Sequence, residues 1–198
     1  MTKKDKFLKR IFDIFFAFIG LFLLWPIILF AWIIASIETR SNGFFLQKRV
    51  GKNGKLFTII KIKTMYEGKN NLSTITTKND SRITKSGRIF RKLKIDELPQ
   101  LFNILKGDMS FVGPRPDVPG YADKLQGEDR IILTIRPGIT GPATLKYKNE
   151  EELLAKVDNP KEYNDKVIWP DKVKINKEYV KNWSFKKDIY YIIRTIFG

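Results

Sequence analysis

The sequence predicts an α+β chain in two parts. Residues 1–40 form an N-terminal membrane anchor, a re-entrant helix broken at a proline, and residues 41–198 form a mostly helical domain around a β-hairpin, with amphipathic helices at the interface. Three observations predict this. Of the 22 residues from Ile14 to Ala35, only Gly20 and Pro26 fall outside the hydrophobic set. β-Branched and aromatic residues flank Gly51-Lys52-Asn53-Gly54. Two downstream stretches, 98–105 and 185–197, repeat apolar residues at helical spacing.

The chain has 198 residues, enough for one compact domain plus a small appendage, and its hydrophobic share of 43% excludes a purely disordered polymer. Its net charge of +16 selects for acidic partners: polyanions, anionic membrane surfaces or phosphate-bearing substrates. Cysteine and histidine are both absent. That excludes disulfides, thiol nucleophiles, imidazole bases and zinc sites built on Cys or His, and leaves carboxylates, hydroxyls, Lys, Arg or a hard, oxygen-bound metal.

As a straight helix the apolar run would cover about 33 Å, just sufficient for a hydrocarbon core of about 30 Å. It is longer than a secretory signal core and no small-residue cleavage site follows, so a retained anchor is expected. Two features favour turning back over crossing. Pro26 leaves arms of about 12 and 9 residues, each too short to span. Residues 1–10 and 38–55 each hold five basic residues against one acidic residue, a net of +4, which places both flanks on the cytoplasmic side. A proline-kinked spanning helix is the alternative. Asp13 is expected to pair with Lys9 or Arg10, at helical spacings of four and three. Trp25 and Trp32 suit interfacial anchoring or lipid contact.

Phe44–Val50 and Lys55–Ile62 read as the two strands of the hairpin. Their basic residues Lys48, Arg49, Lys61 and Lys63 either line a phosphate site or solvate the strands. Residues 67–81 are polar and without a period, as in a loop. Ser86–Leu93 suits a short basic helix. Leu98, Leu101, Phe102 and Leu105 then repeat at i, i+3, i+4, i+7 and Gly107 supplies a stop, while Pro99 suits a first turn. Asp96 and Glu97 therefore fall at the positive end of a helix. The loops Gly113-Pro114-Arg115-Pro116 and 136–142 are stiffened by Pro and Gly, and each presents one arginine to a phosphate or to a local salt bridge. Residues 150–156 and 172–181 suit helices with charged faces. At the C-terminus, Phe185, Ile189, Ile192, Ile193, Ile196 and Phe197 make a basic amphipathic helix, expected on the membrane surface, with packing on the protein's own core as its other use.

Adjacent carboxylates at a helix start, surrounded by Lys and Arg, can handle phosphate esters: one can hold Mg²⁺ through oxygen while the other attacks phosphorus. On spacing alone, an N-cap followed by a helix-start acid is the favoured reading of the pair.

The run Lys94-Ile95-Asp96-Glu97-Leu98-Pro99-Gln100-Leu101-Phe102-Asn103-Ile104-Leu105-Lys106-Gly107-Asp108-Met109-Ser110-Phe111-Val112-Gly113-Pro114-Arg115-Pro116 closely resembles the signature of the small monotopic phosphoglycosyl transferases, a group of bacterial sugar transferases. The likeness extends upstream through Lys9-Arg10-Ile11-Phe12-Asp13, Gln47-Lys48-Arg49-Val50-Gly51 and Lys61-Ile62-Lys63-Thr64-Met65, and downstream through Arg136-Pro137-Gly138-Ile139-Thr140-Gly141 and Tyr179-Val180-Lys181-Asn182. It implies transfer of a sugar 1-phosphate from a UDP-sugar to polyprenol (undecaprenyl) phosphate, with release of UMP, as the first step of glycan assembly.

By the same resemblance Asp96 is the nucleophile that forms a sugar-phosphoryl aspartate, and Asp96 and Glu97 hold Mg²⁺. Lys63, Arg91, Arg115 and Arg136 would surround the phosphates, and Pro26 would bend the anchor. The catalytic domain would face the cytoplasm at the bacterial inner membrane, in contact with membrane lipid, with no nucleic-acid partner; a second copy of the chain stays open as a partner. The chain looks like the minimal catalytic form, without a multi-helix extension. It departs from the family pattern at Trp25-Pro26, where a Ser-Pro pair is usual, at Gly141-Pro142, where many members carry Gly-Trp, and at Asn176, commonly an acid. These positions bear on the bend angle and on the choice of sugar. The reading from another class is a membrane-tethered basic protein that binds anionic lipid or nucleic acid without catalysis.

Overall fold

The computed structural model describes residues 1–67 and 80–198. Most of the loop expected over 67–81 thus lies outside the described residues. The architecture is mixed helix and sheet, led by one long apolar helix, α1 (Lys3–Thr39), of 37 residues. Thr2 and Asp5 cap its start reciprocally, each accepting from the other's backbone N–H. The helix is a single element that contains Pro26, so the expected break does not divide it into two helices. A mid-helix proline removes one donor and crowds the carbonyl four residues back, which can bend a helix while the ladder continues on either side.

Along α1 the buried residues Lys9, Asp13, Ala17, Ile28, Ala31 and Ala35 form one stripe against the rest of the chain. The other faces stay open: Phe7, Phe15, Phe18, Phe22, Leu23, Trp25 and Phe30 are all exposed. Trp32 instead donates its indole N–H to Asn42 at 3.2 Å and stands beside Phe44, so it faces protein.

The hairpin forms as expected from β1 (Phe44–Val50) and β2 (Leu56–Ile62), antiparallel in the register Phe44↔Ile62 to Val50↔Leu56. Asn53 and Gly54 take positive φ in the turn, which asparagine tolerates and glycine, lacking a Cβ, adopts freely. The basic helix is α2 (Lys85–Lys92), capped by the Thr84 hydroxyl. The helix after the acid pair is shorter than its periodicity suggests: α3 covers Gln100–Lys106, and Ile95–Glu97 forms a separate 3₁₀ turn before it.

One pairing was hidden in the sequence. β3 (Ser110–Val112) and β4 (Gly138–Thr140) are parallel, which brings the two arginine loops together. The backbones cross so closely that a Cβ on Gly113 would lie 2.5 Å from the carbonyl oxygen of Arg136. Four more helices follow: α4 (Pro142–Lys146), α5 (Glu150–Leu154), α6 (Pro160–Tyr163) and, after a wide turn over Asn164–Ile168, α7 (Trp169–Lys181). The last, α8 (Phe185–Phe197), has the expected bounds, with Asp188 buried and Tyr190, Ile193, Ile196 and Phe197 exposed.

Two apolar clusters join α1 to the domain and hold α3 in place. Ala17 packs with Phe57, Ile59, Leu101, Ile104 and Met109; Ile28, Ala31 and Ala35 pack with Ile62 and Phe90. Burying a side chain such as Ile104 contributes about 1.5–3 kcal/mol. Polar contacts at the helix edge supplement this. Arg10 donates to the carbonyls of Ile104 and Leu105 at 2.6 and 2.8 Å, satisfying the last turn of α3. Asp13 accepts from the Ser110 hydroxyl at 3.0 Å and the Phe111 N–H at 3.1 Å, while Lys9 pairs with Asp188 at 2.5 Å. The hydrogen bonds of Asp13 therefore come from β3 and not from Lys9 or Arg10, because both cations are spent on partners across the domain.

Candidate active site

Asp96 and Glu97 lie in the 3₁₀ turn between α2 and α3, each 8% exposed. The turn begins at Lys94, whose φ of 58° places a non-glycine residue in the left-handed region at a cost of about 1–3 kcal/mol. The seven-residue α3 supplies little macrodipole, so the electrostatics of the pair come mainly from side chains.

Glu97 is tied to two cations through one of its oxygens. Its Oε1 accepts from Lys61 Nζ at 3.0 Å and from the Arg115 guanidinium. Burial alone would raise its carboxyl, but Arg115 and Lys61 override burial and hold it well below the usual range. Burial likewise pushes the Lys61 ammonium down against the pull of Glu97, and Glu97 raises Arg115.

Asp96 is the opposite case. Its Oδ1 is buried and has no hydrogen-bond partner. Burial raises its carboxyl, and neighbouring Glu97 adds to this, against the field of Lys61, Arg91 and Lys94. A carboxylate oxygen so placed is available to a metal or an electrophile.

Two uncharged side chains fix this geometry. Asn103, buried on α3, donates from its amide to Thr58 O at 2.7 Å and accepts from Ile60 N–H at 3.0 Å, which binds α3 to β2 beside Lys61. Gln100 is also buried, with its amide nitrogen unpartnered. Neither residue was singled out by sequence reasoning, and helical periodicity gives no such signal because both face the core from polar positions.

The other sequence-derived candidates are distributed unevenly. Arg115 reaches the pair; Arg91 adds its field at Asp96 but is itself ion-paired with Glu151. Lys63 is buried and bonded to Ser41 Oγ at 2.9 Å and Glu67 at 2.7 Å. Arg136 donates to Gly107 O at 2.7 Å, at the far end of α3 from Asp96, where its charge adds to burial in lowering Arg10 and Lys52. Pro26 lies within α1, in its apolar middle. Lys61, first read with the other hairpin basics, is the cation the fold brings onto Glu97.

A further acid borders the site. Asp117 follows the Arg115 loop, and burial pushes its carboxyl up to about 7 despite Lys172, Arg49 and Arg115. Its carbonyl accepts from Val50 N–H at 2.9 Å, joining the loop to the hairpin, and Arg49 adds a bond to Pro116 O at 3.2 Å.

Among the described residues no group of three or more Asp or Glu side chains could enclose a metal alone. Mg²⁺ usually keeps waters and takes one or two carboxylates plus substrate phosphates, so it does not require such a cage. The unpartnered Asp96 Oδ1 beside Glu97 fits that donor set.

Residues 4–198 match the family described as bacterial sugar transferase. Over 189 residues the chain is 36% identical to an uncharacterised sugar transferase, EpsL, of Bacillus subtilis, covering 96% of this chain and 85% of the relative. It is 34% identical to the UDP-N-acetylgalactosamine-undecaprenyl-phosphate N-acetylgalactosaminephosphotransferase of Aeromonas hydrophila, over 96% of this chain and 43% of that protein. It is 32% identical to the undecaprenyl-phosphate galactose phosphotransferase of Salmonella typhimurium, over 98% and 40%. The chain thus spans less than half the length of the last two.

Proposed function

The chain belongs to the bacterial sugar transferase family, and from that premise we propose that it moves a sugar 1-phosphate from a UDP-sugar to undecaprenyl phosphate through a covalent intermediate on Asp96. The observation that carries this reading is the unpartnered Asp96 Oδ1, next to a Glu97 whose charge is already committed to Lys61 and Arg115. A nucleophile needs an oxygen not tied up by a cation, and among the described residues Glu97 is ion-paired twice whereas Asp96 makes no ion pair.

In the first displacement an Asp96 oxygen attacks the phosphorus that bears the sugar. The bond from that phosphorus to the bridging oxygen breaks, and UMP leaves with the electron pair. In the second, an oxygen of the lipid phosphate attacks the same phosphorus, the bond to Asp96 breaks, and the carboxylate is restored. Arg91 and Arg115 neutralise phosphate oxygens, Glu97, itself paired with Lys61, holds Arg115 in place, and Lys94 adds positive potential. Asp96 and Glu97 would hold Mg²⁺, which when bound neutralises diphosphate charge and supplies Lewis-acid polarisation.

The way α1 is held supports a membrane arrangement in which it does not cross the bilayer. Its start is tied to α8 by Lys9 and Asp188, and its end accepts from Lys85 and Ser86 N–H groups through Glu38. A helix fastened at both ends to one polar domain cannot cross a bilayer without pulling that domain into hydrocarbon. We therefore read α1 as entering and leaving one leaflet, with its exposed apolar faces in lipid and the domain on the cytoplasmic face of the bacterial inner membrane.

The test uses the full chain in nanodiscs with Mg²⁺, a panel of UDP-sugars and undecaprenyl phosphate. The expected result is UMP release matched by lipid-linked sugar, lost with EDTA. Retention of lipid with neither product across the panel would overturn the reading and favour a non-catalytic binder.

A further inference from the structure

Between α2 and α7 lies an acidic segment that the proposed reaction does not use. Residues 150–152 are consecutive glutamates in the first turn of α5. Glu150 pairs with Lys172 on α7 at 2.6 Å, and Glu151 pairs with Arg91 on α2 across 60 positions of sequence. Glu150 also lies close enough to raise Arg115 and Asp117. The carboxylates of α5 thus stand among the cations that border Asp96.

The segment is lightly held. Its five-residue helix has no side-chain cap, and Leu154 is its one buried residue. Glu151 is 45% exposed at its side chain, and a pair of that exposure is worth little in water. A diphosphate, with more charge and more acceptor oxygens, outcompetes such a carboxylate for a guanidinium.

We propose that α5 is an acidic strap in which Glu151, aided by Glu150, holds Arg91 until an anionic donor displaces it, so that donor binding and strap release are coupled. The proposal rests on reading Arg91 as a phosphate ligand, and it makes Glu151 a competitor of the donor and not a brace for the arginine. The coupling is reciprocal: whatever weakens the strap strengthens anion binding by the same factor.

Inorganic pyrophosphate is the probe, titrated calorimetrically into the nanodisc-held wild type, Glu151→Gln and Glu151→Asp, with amide exchange followed over residues 149–158. The expected result is that Glu151→Gln binds pyrophosphate about 3- to 10-fold more tightly, Glu151→Asp falls between it and the wild type, and exchange in the segment rises when pyrophosphate binds the wild type. Equal or weaker binding by Glu151→Gln would overturn the strap, since a brace gives that outcome, and so would failure of all three proteins to bind pyrophosphate. Tighter pyrophosphate binding in a protein that yields no UMP from any UDP-sugar would instead defeat the transfer reaction and leave the strap standing.

Discussion

Two buried carboxylates, Asp188 at 2% exposure and Asp96 at 8%, have surroundings that differ in kind. Asp188 accepts from Lys9 at 2.5 Å, Trp183 Nε1 at 3.0 Å and Tyr179 OH at 2.6 Å, so both of its oxygens are used. Asp96 has cations in its field but no partner for Oδ1. The first arrangement joins the anchor to the C-terminal helix; the second leaves reactive capacity in place. Burial alone therefore does not distinguish these two acids, whereas hydrogen-bond satisfaction does.

Asp96→Asn should break this contrast most sharply. It removes the nucleophile, and turnover should fall by at least about 10³-fold. Stability should stay level or rise slightly, because burial disfavours the ionised Asp96 in the folded protein. Melting in nanodiscs beside a UMP-release assay checks both. Asp188→Asn should invert the pattern. Leaving Lys9 buried without its carboxylate is expected to cost about 3–5 kcal/mol by denaturant titration, with the rate per folded molecule nearly kept. Equal losses of stability in both variants would erase the distinction.

A smaller effect refines it. Burial raises Asp96, and the carboxylate is the reactive form, so the reactive fraction declines as pH falls through that raised value. The acid limb of kcat/KM should therefore lie above the ordinary aspartate value of about 3.9, while Glu97, held low by Arg115 and Lys61, stays charged across the limb. A pH profile that is flat down to about 4 would contradict this assignment.

Much of this was legible from sequence where the determinants are local. The Asn53-Gly54 turn sets the hairpin register, the spacing of Phe185 to Phe197 defines α8, and the acid pair stands out beside Pro99. The long-range polar pairings were not legible. Asp13 finds Ser110 at a separation of 97 residues, and Lys61 finds Glu97 at 36. Helical spacing offers Asp13 two nearer cations, and only the fold reveals that both are committed elsewhere. The three-residue strands β3 and β4 also escaped, because loops rich in Pro and Gly carry no alternation. Arg136 shows the same limit: its motif pairs it with Arg115, yet the fold directs it to Gly107.

The central claim is tested most directly by mixing the wild type with a UDP-sugar that supports UMP release, withholding the lipid acceptor, and recording the intact mass followed by peptide mapping. The account predicts UMP approaching one equivalent and a sugar-phosphate adduct on the peptide containing Asp96, discharged when undecaprenyl phosphate is added. Product formation with the acceptor present, but no adduct and no UMP in its absence, would contradict it.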